Sequence, residues 1–211
     1  MTISRFFGEK IFYNINPVGV STFADQGIVD LGNIKAHKVI FHTQAMGLND
    51  TETIYSDPAT SLPLRVERQI KWLFKKEYIV EEYDQEHFTY TMTKFKQGKI
   101  VEKHSYAEDG PIHNAILLPF HLRNVKDLHI GWTLKVRVPQ EFTVTLSSID
   151  DIVVPAGKFK AYHFTSEPVK FEIWISQDDR SIPIEIKELS GLNYAIKMKK
   201  YIPSPMERSK E

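Results

Sequence analysis

The chain predicts an all-β, mainly antiparallel fold. β-branched and aromatic runs recur at a spacing of roughly 8–12 residues with turn chemistry between them, as in barrels and sandwiches. In Trp174-Ile-Ser-Gln-Asp-Asp-Arg-Ser-Ile-Pro-Ile-Glu-Ile186, two apolar-alternating runs flank a polar turn, the pattern of a β-hairpin. Only one stretch breaks the strand pattern. The architecture expected is a curved sheet forming a barrel or half-barrel with one short helix at an opening, comparable to lipocalin-like or lipoprotein-carrier-like folds.

The first strands follow from composition. Ile11–Ile15 and Lys38–His42 are β-branched and aromatic, and Met46-Gly47-Leu48-Asn49-Asp50 ends the second run. Thr53–Tyr55 leads into Asp57-Pro58-Ala59-Thr60, where proline presets φ and aspartate caps the bend. Leu64, Val66, Arg68 and Ile70 then share one side of a strand. Trp72, Phe74, Lys76, Tyr78 and Val80 share a face, as do Phe88, Tyr90 and Met92 on the returning strand. An odd loop, Asp84-Gln85-Glu86, sets Val80 against Tyr90 and Tyr78 against Met92, keeping apolar partners on one face. Gln97-Gly98 is the next turn, with Ile100-Val101 beyond it.

After Asp109-Gly110-Pro111 the pattern changes. Apolar residues at 116, 117 and 120 predict a short helix that starts between Ile112 and Asn114 and contains Pro119. Strands resume after Gly131 at Thr133–Val138, Phe142–Ser148, Ile152–Val154, Phe159–Thr165, Phe171–Ser176, Ile182–Lys187 and Tyr194–Lys200. In the hairpin, Phe171, Ile173 and Ile175 share a side with Ile182, Ile184 and Ile186. Trp174 then lies opposite with Glu172 and Ser176, either covered or presented to a ligand. No linker or repeat divides the chain, so one domain over 1–202 with a disordered tail over 203–211 is expected.

Composition limits the function classes. The 211 residues are 42% hydrophobic and 26% charged, with 27 basic residues balancing 27 acidic ones. No net field draws nucleic acid, and the clusters Lys71–Lys76 and Lys197–Lys200 read as solvated faces. Without cysteine there is no disulfide or thiolate chemistry. No apolar run is long enough for a transmembrane helix. The opening residues lack the basic start and apolar core of a signal peptide. They fit either a cytosolic protein or one whose leader has been removed.

Catalytic and metal signatures are missing. The eight histidines show no ligand spacing; His37 and His42, on one strand, point to opposite faces. Nucleophile elbows and glycine-rich phosphate loops do not occur. The pairs Glu81-Glu82, Asp150-Asp151 and Asp178-Asp179 read as edge and turn residues. No cofactor and no catalytic residue is expected. The excess lies in aromatic residues, at 12% of the chain. They either fill the core or line a cavity, and Trp72, Tyr78, Tyr90, Trp132 and Trp174 are the candidates for a ligand-lined one.

Several segments together resemble the bacterial family called domain of unknown function family 3108. Phe7–Ile15 with Gly19 is similar to its opening strand, and Tyr55–Glu67, with Asp57 and Pro58, to its D-P-x-T-x-x-P hairpin. Ile116–Arg123 resembles its central helix ending in an arginine, here Arg123, and Leu128–Thr133 its glycine turn. Val154-Pro155-Ala-Gly157-Lys-Phe159 resembles its P-A-G-x-[FY] turn. Trp174–Ile186, with Asp178, Arg180 and Pro183, resembles its W-x-S-x-D-x-R-x-P-[VI] hairpin. Gly157 suits a tight turn, and Pro183 an edge strand.

The resemblance implies an exported, periplasmic protein and carries no catalytic residues. With the architecture, the expectation is a non-enzymatic cell-envelope protein that binds a lipid or other amphiphile in a concave sheet. The alternatives are a solid-core scaffold binding an envelope protein partner and, behind it, an enzyme acting on envelope glycans.

Overall fold

A computed structural model describes residues 7–138, 140–191 and 193–205. The opening Met1–Phe6, and residues 206–211 of the expected tail, lie outside them. Of the rest of that tail, Ser204 is buried and donates to the Phe7 carbonyl at 2.6 Å.

The described residues form fourteen strands and one helix: β1 Lys10–Asn16, β2 Val20–Leu31, β3 Ile34–Ala45, β4 Leu48–Ser56, β5 Pro63–Trp72, β6 Lys75–Asp84, β7 Thr89–Lys96, β8 Lys99–Ala107, α1 Leu118–Leu122, β9 Thr133–Val138, β10 Gln140–Val154, β11 Gly157–Glu167, β12 Phe171–Ser176, β13 Pro183–Glu188 and β14 Ala195–Ile202. Their hydrogen-bonded order is β8-β7-β6-β5-β4-β3-β2-β1-β14-β13-β12-β11-β10-β9. The expected antiparallel all-β class with a single short helix is what forms.

The chain divides into two compact units. One is built on Gly19–Ile112 with short flanking segments, the other on His113–Lys200 with Tyr13–Val18. The first is a meander from β2 to β8. Phe23, Val39, Ile54 and Val66 fall on one face, because Val39 opposes Ile54 and Ile54 opposes Val66. β2 has no counterpart in the sequence reading. Its inward positions Ser21, Phe23 and Asp25 are mostly polar, which hides the alternation, and Gly27 marks a bulge rather than a turn.

The β6–β7 register differs from the expected one. Tyr83 opposes Tyr90, Val80 opposes Thr93 and Tyr78 opposes Phe95. The loop holds four residues between Asp84 and Thr89, because Asp84 Oδ1 accepts the amides of Glu86 and His87, both at 3.0 Å, and Phe88 takes φ 51°. Aspartate capping of this turn outweighs the apolar pairing that a three-residue loop would give.

In the second unit, α1 starts later than expected. Asn114 Oδ1 accepts the amides of Ile116 (2.9 Å) and Leu117 (3.1 Å), and Pro119 falls in the first turn, where no hydrogen bond is lost. Leu118 and Leu122 then pack on Val136, Val144, Leu146 and Phe164 of β9–β11. β10 is one continuous strand where two were expected, with a bulge between Leu146 and Ser148 absorbing the break.

Candidate functional site

Three side-chain groupings stand out, and the first is a surface cavity. Three two-residue turns lie at the same end of the first unit. Met46-Gly47 joins the pair Ala45–Leu48, Leu73-Phe74 joins Trp72–Lys75, and Gln97-Gly98 joins Lys96–Lys99. Both central residues have positive φ in the first (46° and 82°) and third (51° and 76°), the twist that tight hairpins prefer. Below these turns Tyr78 and Phe95 pack across β6–β7 with ring centroids 5.6 Å apart. They line a cavity of about 500 Å³ with Ile70, Lys71, Lys76 and Gln97. Burial, together with nearby Glu67, raises the Tyr78 phenol above its ordinary pKa, so it stays neutral and able to donate.

The second grouping is a buried acid cluster on the inward face of β4–β6. Arg68 opposes Glu52 across β4–β5, and its Nε donates to Asp50 Oδ1 at 3.1 Å while its Nη2 donates to Oδ2, so the two form a bidentate pair. Glu52 Oε1 stands 3.4 Å from the same guanidinium. Desolvation, only partly offset by Arg68 and reinforced by Asp50 and Glu81, pushes the Glu52 carboxyl up to about 7. Beside it Tyr83 donates to Glu81 at 2.5 Å.

The third grouping runs across the second unit as a single row. Ser148 opposes His163, His163 opposes Trp174, Trp174 opposes Glu185 and Glu185 opposes Lys197. The Trp174 ring stacks on His163 at 4.1 Å with 10° between planes, and Lys187 Nζ lies 4.3 Å from its centroid. Trp174 Nε1 donates to Asp150 at 3.2 Å. Ser148 and Asp150 both meet His163 at Nδ1, at 3.2 and 3.1 Å, while Nε2 faces Glu172 at 3.9 Å. A catalytic triad needs the hydroxyl on one ring nitrogen and the carboxylate on the other, so this row is not one.

The five sequence candidates fall in different places. Trp72, Tyr78 and Tyr90 belong to the first unit, Trp132 and Trp174 to the second. Only Tyr78 lines the cavity of about 500 Å³. Tyr90 is stacked between Tyr83 and Tyr106, at 5.5 and 4.8 Å. Trp132 packs edge-on against Phe164 at 6.2 Å. Trp174 is 5% exposed and covered. Sequence reasoning missed Phe95, whose pairing with Tyr78 depends on the four-residue β6–β7 loop. It missed Asp50 and Glu52 too, although polar residues at period two beside Ile54 were a readable signal.

The family-motif residues hold turns. Asp57 Oδ1 accepts from the Ala59 and Thr60 amides at 2.9 and 2.7 Å, bending the chain at Pro58. Pro155 and Ala156 form the two-residue turn between Val154 and Gly157, where Gly157 takes φ 136°, unfavourable for any other residue. Asp178 accepts from Ser176 Oγ (2.7 Å) and from Arg180 (3.0 Å), and buried Arg123 donates to the Arg180 carbonyl at 2.6 Å. Pro183 does not mark an edge: β13 is paired on both sides. The proline is tolerated as the first residue of the strand, beside the bulge between Trp174 and Ile175. That bulge also leaves Ile184 unpaired, although Ile173 opposes Ile186 and so shares its side, as expected.

Among the described residues, no group of three or more histidine or acidic side chains is placed to hold a metal ion. No described helix is long and apolar enough to cross a membrane.

These features define a nearly all-β antiparallel protein with one short helix. A crystallised beta-barrel-like protein of domain of unknown function DUF1849 from Brucella abortus has the similar fold, with TM-score 0.54 at 7% identity, over 95% of this chain and 99% of that one. The chain belongs to the family of proteins of unknown function DUF3108, whose model matches residues 10–198. No curated protein matches it significantly.

Proposed function

We propose that this protein binds an amphiphile without catalysing a reaction, holding it in the cavity beside Tyr78 and Phe95. The observation that carries this reading is the cavity's composition. Its volume of about 500 Å³ lies in the range of small-molecule sites, and the Tyr78 and Phe95 rings share their sheet face with Lys71 and Lys76, which also line it. Glu77, also in the wall, is paired with Lys94 at 2.9 Å, so the lysines set the local charge. An apolar tail packs on the rings while an anionic headgroup meets the lysines. Family members are typically exported, which makes the cell envelope the expected place of action.

Mass spectrometry of an organic extract, against a mock purification, is the first test. A titration with alkyl carboxylates of increasing length is the second. Each methylene buried contributes about 0.8 kcal/mol, so affinity rises roughly fourfold per carbon until the cavity is full. Tyr78→Ser flattens that dependence, and Lys71→Glu with Lys76→Glu removes the preference for an anionic head. A clean extract together with length-independent binding refutes the proposal.

A second reading, docking of a protein partner, is favoured by one observation. β8 closes one side of the first unit, and all nine of its residues are exposed, which suits strand addition. Lys99, Glu102, Lys103 and His104 blunt that edge, so the cavity is the stronger candidate.

A further inference from the structure

We propose that the turn end of the first unit docks on an anionic lipid bilayer, inserting Met46, Trp72, Leu73 and Phe74 between headgroups. The argument starts from side chains that are costly where they stand. Leu73 and Phe74 occupy a two-residue turn, a place favoured by glycine and asparagine. Leu73 takes φ 51° there, a strained conformation for a large side chain. Neither residue gains burial in return: Leu73 is 78% exposed and Phe74 fully so. Trp72, 57% exposed, stands at the base of the same turn.

The neighbours make this a surface rather than a single tip. Leu48 opposes Trp72, which sets Met46-Gly47 beside Leu73-Phe74. A Cβ added at Gly47 would lie 3.7 Å from Leu73 Cδ2. Tyr78 opposes Phe95, which puts Gln97 level with Lys76 and adds exposed Ile100 and Val101 to the same end.

Charge identifies the partner. The whole chain is neutral, with 27 basic and 27 acidic residues. The turn end is not. Lys71, Lys75, Lys76, Lys96 and Lys99 surround the apolar side chains, and none has an ion-pair partner among the described residues. The acids one level in from the turn end, Glu77 and Asp50, are bound to Lys94 and Arg68. Apolar tips ringed by lysines match a bilayer in depth. The rings and aliphatic groups reach the acyl boundary while flexible ammonium groups stay level with the phosphates. Each lysine near an anionic surface adds to the attraction, and salt weakens it. A protein interface core is instead depleted in lysine.

This docking stands on the turn end alone. If the cavity holds an amphiphile, Lys71, Lys76 and Gln97, which belong to both, place its mouth at the membrane.

The experiment is flotation of the full chain with phosphatidylcholine vesicles, with and without phosphatidylglycerol, at low and high salt. The expected result is binding only with phosphatidylglycerol, lost at high salt. Leu73→Ser with Phe74→Ser lowers partitioning by about tenfold or more, since two large apolar side chains no longer leave water. Charge reversal at Lys75 and Lys99 abolishes it. Phospholipids brominated on the acyl chain quench a fluorescence component that Trp72→Phe removes. All these positions are exposed, and circular dichroism checks that each variant is folded.

Failure to float, flotation indifferent to phosphatidylglycerol, or an unquenched Trp72 overturns the proposal. So does concentration-dependent self-association in sedimentation, abolished by the double serine variant, without vesicle binding; the occupant would then be a second copy. Tyr78→Ser keeps vesicle binding while flattening the chain-length dependence of carboxylate binding, so failure of the docking reading and failure of the cavity reading are told apart.

Discussion

Replacing Glu52 with glutamine tests how the acid cluster of the first unit is held. In the folded chain the Glu52 side chain is 15% exposed and shares Arg68 with Asp50, which holds the guanidinium in a bidentate grip. Burial lifts its pKa from an ordinary 4.5 to about 7. Between those values the folded state holds a proton that the unfolded state has released, so stability falls as pH rises across the window and levels off above it. At about 1.4 kcal/mol per unit, the gap sets a ceiling of about 3 kcal/mol on the loss. Glutamine keeps the shape and cannot ionise. The variant is therefore expected to match the wild type near pH 4.5 and to be more stable at pH 8, by up to that ceiling. Urea unfolding at several pH values with an unchanged m-value measures this directly. If the fall in stability between pH 5 and pH 8 has the same depth in Glu52→Gln as in the wild type, the charge is not being held against desolvation and the reasoning fails.

Two further substitutions probe the second unit. Ser176 is buried, and its Oγ accepts the Ile182 amide and donates to Asp178, both at 2.7 Å. Ser176→Ala leaves that buried amide without its side-chain acceptor and costs about 1–3 kcal/mol, read as a lower urea midpoint. Trp174→Ala opens a cavity between His163 and Lys187 and costs about 3–5 kcal/mol, whereas Trp174→Phe keeps the stacking and loses mainly the bond to Asp150. Thermal or urea unfolding separates the two, and equal losses would mean that the ring does not carry the packing.

Local features of the fold were legible. The Asp57-Pro58 bend, the Gln97-Gly98 turn, the Val154–Gly157 turn and the Asp178 hairpin all appear where their residue types demand, because each depends on φ preferences and hydrogen bonds within a few positions. Strand β2 was not legible, since its inward face carries Ser21 and Asp25 and the apolar alternation is lost. The Tyr78–Phe95 pair of the cavity was also out of reach. One more residue in the Asp84–Thr89 loop shifts every partner on β7.

Alternation, turn residues and the lone break at Asn114–Arg123 were enough to establish an antiparallel all-β class with one short helix. Those signals act over neighbouring residues and survive any rearrangement farther away. Which side chains meet across strands is settled by loop parity and bulges acting together. That is why Ser148, His163, Trp174, Glu185 and Lys197, spread over 50 positions, line up in a single row. It is also why Asp50, Glu52, Arg68 and Glu81 crowd one face of β4–β6. The raised Glu52 pKa follows from that crowding and from exclusion of water, and neither exists until the sheet has formed.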